Sequence, residues 1–284
     1  MDPVSPSPST VTLPNGPRVP ALGQGTWNMG ERPDARRDEV RALQEGIDLG
    51  LTVLDTAEMY ASGGSERVVG EAIAGRRASV FLVSKVLPSH AGEDAVVAAC
   101  RGSLERLGTD HLDLYLLHWR SGTALEETLA GFARLQAEGS IRAWGVSNFD
   151  AGDLAELVTL PGGEAVATNQ VLYNLTRRWP EPELLPAQRE RGIPTMAYSP
   201  VEQGRLIGHA ALTQIAARHD ASAAQVALAW LLRQGDVLAI PKASRLEHVR
   251  DNHRALDLVL DPDDLAALDA SFPPPTGRPA MELL

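Results

Sequence analysis

Short apolar runs recur along the chain at near-regular intervals: ALGQG, TVLDTA, VFLVSKV, LDLYLLH, AWGVSN, VATNQV, PTMAYSP and VLAIPKA. They are rich in β-branched residues and lack clean two-residue alternation, so they read as strands buried on both faces. Between them lie stretches with apolar residues at helical spacing. These are Asp38–Leu49, Ser65–Ala74, Asp94–Leu107, Leu125–Glu138, Leu154–Leu157, Glu183–Arg191, Leu212–His219 with Ala223–Gln234, and Leu246–Ala255. Eight strand–helix units in 284 residues predict one α/β domain, a (β/α)8 barrel. A doubly wound sheet is the competing arrangement, but no G-x-G-x-x-G follows an early strand. The opening VTLPNGPRVP reads as a small β-hairpin turning at Asn15-Gly16, placed to plug the barrel's N-terminal end. Residues 1–10, with alternating Pro and Ser, read as a flexible arm, and 11–284 as the barrel.

Composition narrows the function. The formal net charge is −11, which argues against general nucleic-acid or anionic-membrane binding. No apolar run is long enough to span a bilayer, and MDPVSPSPST has no signal-peptide character. The single cysteine, Cys100, excludes an intrachain disulfide and suits a cytoplasmic location. A metal-dependent hydrolase fits poorly, because strand one carries no H-x-H.

In a barrel, residues at the C-terminal ends of the strands meet at one mouth. Polar side chains stand there on nearly every strand. Asp55 ends the second, with Tyr60 in its loop; Lys85 ends the third and His118 the fourth; Asn148, Gln170, Tyr198 and Lys242 follow on the rest. An acid, a phenol, an amine and an imidazole make a proton-transfer site. A phenol donates to a carbonyl oxygen, but its free pKa is about 10. A neighbouring ammonium favours phenolate, which leads us to expect Lys85 to lower the Tyr60 pKa. Singly, Asp55 and Lys85 have an equally good reading as a structural ion pair, and Tyr60 or His118 as packing residues.

The motifs DTAEMYASGGSE, VSKV, LLHW, GVSNF, NQVLYN, AYSP and IPKAS, in that order, resemble the aldo-keto reductases over almost the whole chain. LLHWR, IPKAS with EHVRDN, and the short tail PPPTGRPAMELL are most similar to its bacterial small-aldehyde members, including methylglyoxal reductase-like ones. The resemblance implies a (β/α)8 barrel that reduces a small-molecule carbonyl with NADPH. Tyr60 would be the general acid, Lys85 its modulator, Asp55 the holder of Lys85, and His118 the group that orients the carbonyl oxygen. Gly25, Thr26, Trp27 and Asp55 would belong to the cofactor site. Ser147, Asn148 and Gln170 would bind the nicotinamide carboxamide, with Tyr198 stacked on the ring. Ser199, Pro200, Val201, Gln203, Gly204 and Arg205 would cover the pyrophosphate. Ile240, Lys242, Ala243, Ser244, Arg245, His248 and Asn252 would receive the adenosine end.

From Ile240 to Arg254 the chain is locally net positive: Lys242, Arg245, Arg250 and Arg254 against Glu247 and Asp251. A 2′-phosphate suits such an island at a helix N-terminus. Relatives often carry arginine where this chain has His248, so NADPH is expected to be preferred with NADH still possible. Trp27, Met29, Leu87, Trp119 and Phe149, with Tyr60, His118 and Asn148, would wall the substrate pocket. Arg120 would attract an acidic substrate or point to water. The expected assembly is a monomer or weak homo-oligomer. Two other readings stand: an NAD(P)+-dependent alcohol or sugar dehydrogenase, and a cofactor-bound accessory protein with little turnover.

Overall fold

The computed structural model describes residues 10–14 and 16–284. The chain opens with the antiparallel pair β1 (Thr10–Thr12) and β2 (Arg18–Pro20), in register Val11↔Val19. Thr10 therefore belongs to the hairpin rather than to the arm; residues 1–9 and Asn15 lie outside the described residues. Val11, Leu13 and Val19 are buried and join the main core, just before the first barrel strand.

Eight parallel strands follow: β3 (Gln24–Gly25), β4 (Val53–Asp55), β5 (Phe81–Val86), β6 (Leu112–Leu117), β7 (Ile141–Ser147), β8 (Asn169–Leu172), β9 (Thr195–Tyr198) and β10 (Val237–Ala239). They lie side by side in sequence order. The first and last meet: Gly23 donates to Ala239 O (2.9 Å), Ala239 to Ala21 O (2.9 Å) and Gly25 to Pro241 O (3.1 Å), so the sheet closes into a barrel. Glycine is needed at the seam, since a Cβ on Gly25 would stand 2.7 Å from Ile240 O.

The crossovers are α1 (Arg36–Asp48), α2 (Gly64–Ile73), α3 (Glu93–Leu107), α4 (Leu125–Ala137), α5 (Ala151–Leu157), α6 (Leu184–Glu190), α7 (Ala210–Arg218) and α8 (Ala223–Leu232), with α9 (Leu246–Arg254) and α10 (Pro262–Ser271) after the last strand. Helix starts are written in the sequence. Asp150, Ser222 and Asp261 each close a capping box, and Pro262 follows Asp261 at the first helical position. Helix α8 is buried from Val226 to Leu232, because α7, α9 and β10 cover it.

The predicted strands and their order are all present. The short helix expected over Leu154–Leu157 begins earlier, at the Asp150 cap. Helix α10 was not among the expected elements, although D-P-D-D marks its start.

Candidate functional site

Lys85 organises the mouth. Its side chain is completely buried in β5, and each of its three ammonium protons has an acceptor. Nζ donates to Asp55 Oδ2 at 2.8 Å, to Thr56 O at 2.9 Å and to the Tyr60 hydroxyl at 3.2 Å. Asp55 ends β4, and its second oxygen accepts from Gln170 Nε2 on β8 at 2.8 Å. The same amide lies 2.7 Å from Met196 Sδ. Burial opposes charge on Lys85, but Asp55 and the Tyr60 oxygen outweigh it and hold its pKa above the ordinary lysine value.

Tyr60 opens the 3-10 turn Tyr60–Gly63. Its pKa lies above the usual phenol value, because burial dominates; Lys85 pulls it down and Asp55 pushes it up. Lys85 lowers the phenol pKa as the sequence predicts, and burial adds an opposing push that the sequence does not display. Desolvation of the phenolate wins in the protein alone.

His118 follows β6, with its ring centroid 5.7 Å from that of Tyr60. Burial, with the Lys85 charge second, drives its pKa down to about 2. The imidazole is neutral across the working pH range, and its buried Nδ1 has no hydrogen-bond partner.

A second network runs through the next strands. Ser147 Oγ donates to Gln170 O (2.9 Å), Asn148 Nδ2 to His118 O (3.1 Å) and Ser147 Oγ (3.2 Å), and Tyr198 OH to Asn148 Oδ1 (3.1 Å). Asn148 adopts φ +56°, a left-handed conformation that asparagine tolerates better than most residues. On the other side, Thr26 Oγ1 donates to Asp55 O (2.9 Å), and Ser65 Oγ donates to Thr26 Oγ1 (2.7 Å).

The loop after β9 runs in left-handed conformations at Ser199, Glu202, Gln203 and Gly204. Its buried Glu202 accepts from Asn174 Nδ2 (2.7 Å), Arg177 Nη2 (3.0 Å) and Arg205 Nη2 (2.9 Å). Arg205 is thus turned onto Glu202. At the head of α9, Lys242 and Arg245 are exposed, with Lys242 Nζ 3.3 Å from Ser244 Oγ. Glu247 pairs with Arg245 at 3.5 Å and stands 3.7 Å from His248. Arg250 is tied to Glu45 of α1 (2.6 Å), and Asn252 is buried.

Trp27, Met59 and Trp119 are exposed large hydrophobics on loops at the mouth. Met29 and Phe149 are not pocket walls. Both are fully buried members of the core and offer no surface to the mouth. Arg120 neither points freely to water nor awaits a substrate: it pairs with Asp153 (2.8 Å) and Glu156 (2.6 Å) of α5. Sequence reasoning also missed Met59, Glu58 and the Glu202 cluster. Glu58 and Met59 lie inside the DTAEMY motif, but only three-dimensional packing shows what they face.

Cys100 is buried, and burial with the Glu66 and Glu138 charges pushes its thiol up to about 12, so it is a packing residue. Among the described residues no helix is long and apolar enough to cross a membrane, and no cluster of three or more His, Cys, Asp or Glu is arranged to hold a metal.

A buried lysine thus joins a carboxylate to a phenol at the mouth of a (β/α)8 barrel, which sets a phenolic proton donor beside a cation. The chain belongs to the aldo/keto reductase family, whose model it matches over residues 21–272. It is 52% identical over 271 residues to methylglyoxal reductase YeaE of Escherichia coli strain K12, covering 94% of this chain and 95% of that protein. It is 36% identical over 264 residues to a glyoxal reductase of Bacillus subtilis strain 168, covering 92% of each. A Klebsiella pneumoniae aldo-keto reductase solved in complex with NADPH superimposes with TM-score 0.95 at 50% identity, over 97% of this chain and 99% of that one.

Proposed function

We propose that this protein reduces small aldehydes, α-oxoaldehydes such as methylglyoxal among them, using NADPH. The observation that carries the reading is the Asp55–Lys85–Tyr60 chain, with Lys85 fully satisfied and the phenol held at its third proton. When bound, the nicotinamide supplies a hydride to the carbonyl carbon. Tyr60 gives its phenolic proton to the carbonyl oxygen, and Lys85 stabilises the phenolate left behind. Asp55, anchored by Gln170, keeps Lys85 charged and aimed. Neutral His118 orients the carbonyl oxygen without adding charge to a site that already holds an ammonium.

The chain's own groups fit such a cofactor. Asn148 Oδ1 and Gln170 Oε1 are acceptors suited to a carboxamide N–H, and Tyr198 presents an aromatic face. Burial holds the Tyr198 phenol above its usual range, so it stays neutral. Lys242, Ser244 and Arg245 offer two cations and a hydroxyl at the head of α9, where helix N–H groups favour a phosphate. Ser199 to Gly204 form the covering loop for the pyrophosphate. Trp27, Met59, Leu87 and Trp119 frame the substrate entrance.

Glu247 bears on the cofactor choice. By engaging Arg245 and lying beside His248, it draws on two of the groups near the 2′-phosphate position and leaves Lys242 to read it. This favours measurable use of NADH beside NADPH.

Steady-state consumption of NADPH and of NADH is measured against methylglyoxal, aromatic aldehydes, sugars and ketosteroids. The expected result is turnover of small aldehydes, with Tyr60→Phe losing about 10²-fold or more in kcat while binding NADPH normally. Near-normal turnover by Tyr60→Phe removes its assignment as the acid. Tight NADPH binding without reduction of any carbonyl favours the accessory-protein reading.

A further inference from the structure

We propose that Glu58 is a positioning residue that pins the loop bearing Tyr60 to the strand bearing Lys85 and fixes Leu87 at the pocket rim. The proposal rests on Tyr60 being the proton donor of the reaction above. Glu58 lies between Asp55 and Tyr60, two positions before the phenol. Its side chain is only 9% exposed. Oε1 accepts the Leu87 N–H at 2.7 Å and stands 3.0 Å from His90 Nδ1. Its own N–H reaches back to Lys85 O at 3.4 Å. One residue therefore touches the backbone on both sides of Val86, from the loop of the phenol.

A nearly buried carboxylate is costly unless its partners repay it. Among the described residues, the one basic side chain within ion-pair distance of Glu58 is His90. The carboxylate is thus held at the mouth by a backbone N–H and an imidazole, both from the segment after β5. That segment is Leu87 and the 3-10 turn Pro88–His90. Releasing Glu58 would free two things together: the rim after β5 and the second half of the Tyr60 loop.

The second half of that loop needs holding. Its first half is secured by Thr56 N–H to Val83 O (3.0 Å) and by Lys85 Nζ to Thr56 O. Beyond Tyr60, Ala61 and Ser62 occupy left-handed conformations at φ +49° and +50°, which non-glycine residues resist. The Tyr60–Lys85 contact, at 3.2 Å, is the longest of the three that Lys85 makes. A proton donor whose loop relaxes drifts from a lysine that cannot follow, since Asp55 and Thr56 hold Nζ in place. Displacing a reacting group by about 1 Å costs up to about 10²-fold in rate.

Glu58→Ala, Glu58→Gln and Glu58→Asp are compared with the unaltered protein and with Tyr60→Phe. We read kcat and KM for methylglyoxal and for an aromatic aldehyde, NADPH affinity by fluorescence, and backbone hydrogen exchange. Glu58→Ala should lose roughly tenfold to a hundredfold in kcat, raise KM more for the larger aldehyde, and bind NADPH unchanged. Glu58→Gln should recover most of kcat, because its amide oxygen still accepts the Leu87 N–H. Glu58→Asp keeps the charge but withdraws the oxygen, and should fall between. Exchange should quicken at Tyr60–Gly63 and Leu87–His90 in Glu58→Ala while the barrel strands stay protected. Unchanged exchange in both segments overturns the proposal, whether or not the protein turns over any carbonyl. So does wild-type kcat in folded Glu58→Ala, or a Glu58→Gln variant as impaired as Glu58→Ala. Loss of activity in Tyr60→Phe alone, with all three Glu58 variants normal, would keep the reaction and discard the role of Glu58.

Discussion

Around Lys85, three protons have three acceptors, and the side chain has no contact with water. At the head of α9, Lys242 and Arg245 stand exposed, and Glu247 is shared between Arg245 and His248. One region is a closed network in which every charge has a fixed partner. The other is a set of solvated charges with loose, long contacts. Buried pairs are costly to break because the survivor keeps its desolvation penalty, whereas exposed pairs are screened and exchange partners freely. The chemistry should therefore behave as all-or-none and the cofactor preference as graded.

The largest expected effect tests the closed network. Lys85→Met leaves Asp55 buried with only the Gln170 amide, so it should destabilise the fold by about 3–5 kcal/mol and lower kcat by about 10²–10⁴-fold. Thermal unfolding and turnover, measured together, would show both. A stable, active Lys85→Met would mean that the network is not closed.

The pH dependence comes next. The Tyr60 pKa is raised above the ordinary phenol value, and reduction uses the protonated phenol, so kcat/KM for reduction should fall only as pH rises above about 10. His118 lies near 2, so it should contribute no limb between about pH 5 and pH 8, where an ordinary histidine titrates. A limb near pH 6.5 that disappears in His118→Gln would contradict its burial.

The smallest effect belongs to the open patch. Lys242→Ala should weaken NADPH by about tenfold, as expected for one exposed charge on a phosphate, and leave NADH nearly unchanged. Raising the salt concentration should shrink the difference. Equal weakening of both cofactors would remove Lys242 as the reader of the 2′-phosphate.

The sequence displays one half of this contrast better than the other. Strand ends bearing Asp55, Lys85, His118 and Gln170 are legible because a barrel sends every strand end to one rim. The meeting of Asp55 with Gln170, 115 residues apart, follows from that closure. What burial does to those groups is not legible. The same residue letters are compatible with a Tyr60 pKa lowered by Lys85 or raised by desolvation, and only the packed structure decides between them. Met29 and Phe149 misled for a similar reason. Adjacency to a strand end suggests the mouth, while their side chains turn into the core. Arg120 gave no sign of its partners, which come from a helix more than thirty residues on.

The seam between β3 and β10 joins residues near the start of the chain to residues more than two hundred positions later. Contacts of such separation form late, because their loop-closure cost must be met first. During synthesis, the first strand must wait beside an open sheet until the segment around Lys242 has left the ribosome. The edges of β3 and β9 stay unpaired meanwhile, and unpaired edges invite association with other chains. Newly made copies of this protein should therefore be most prone to association before the last strand arrives, and lose that tendency once the seam closes.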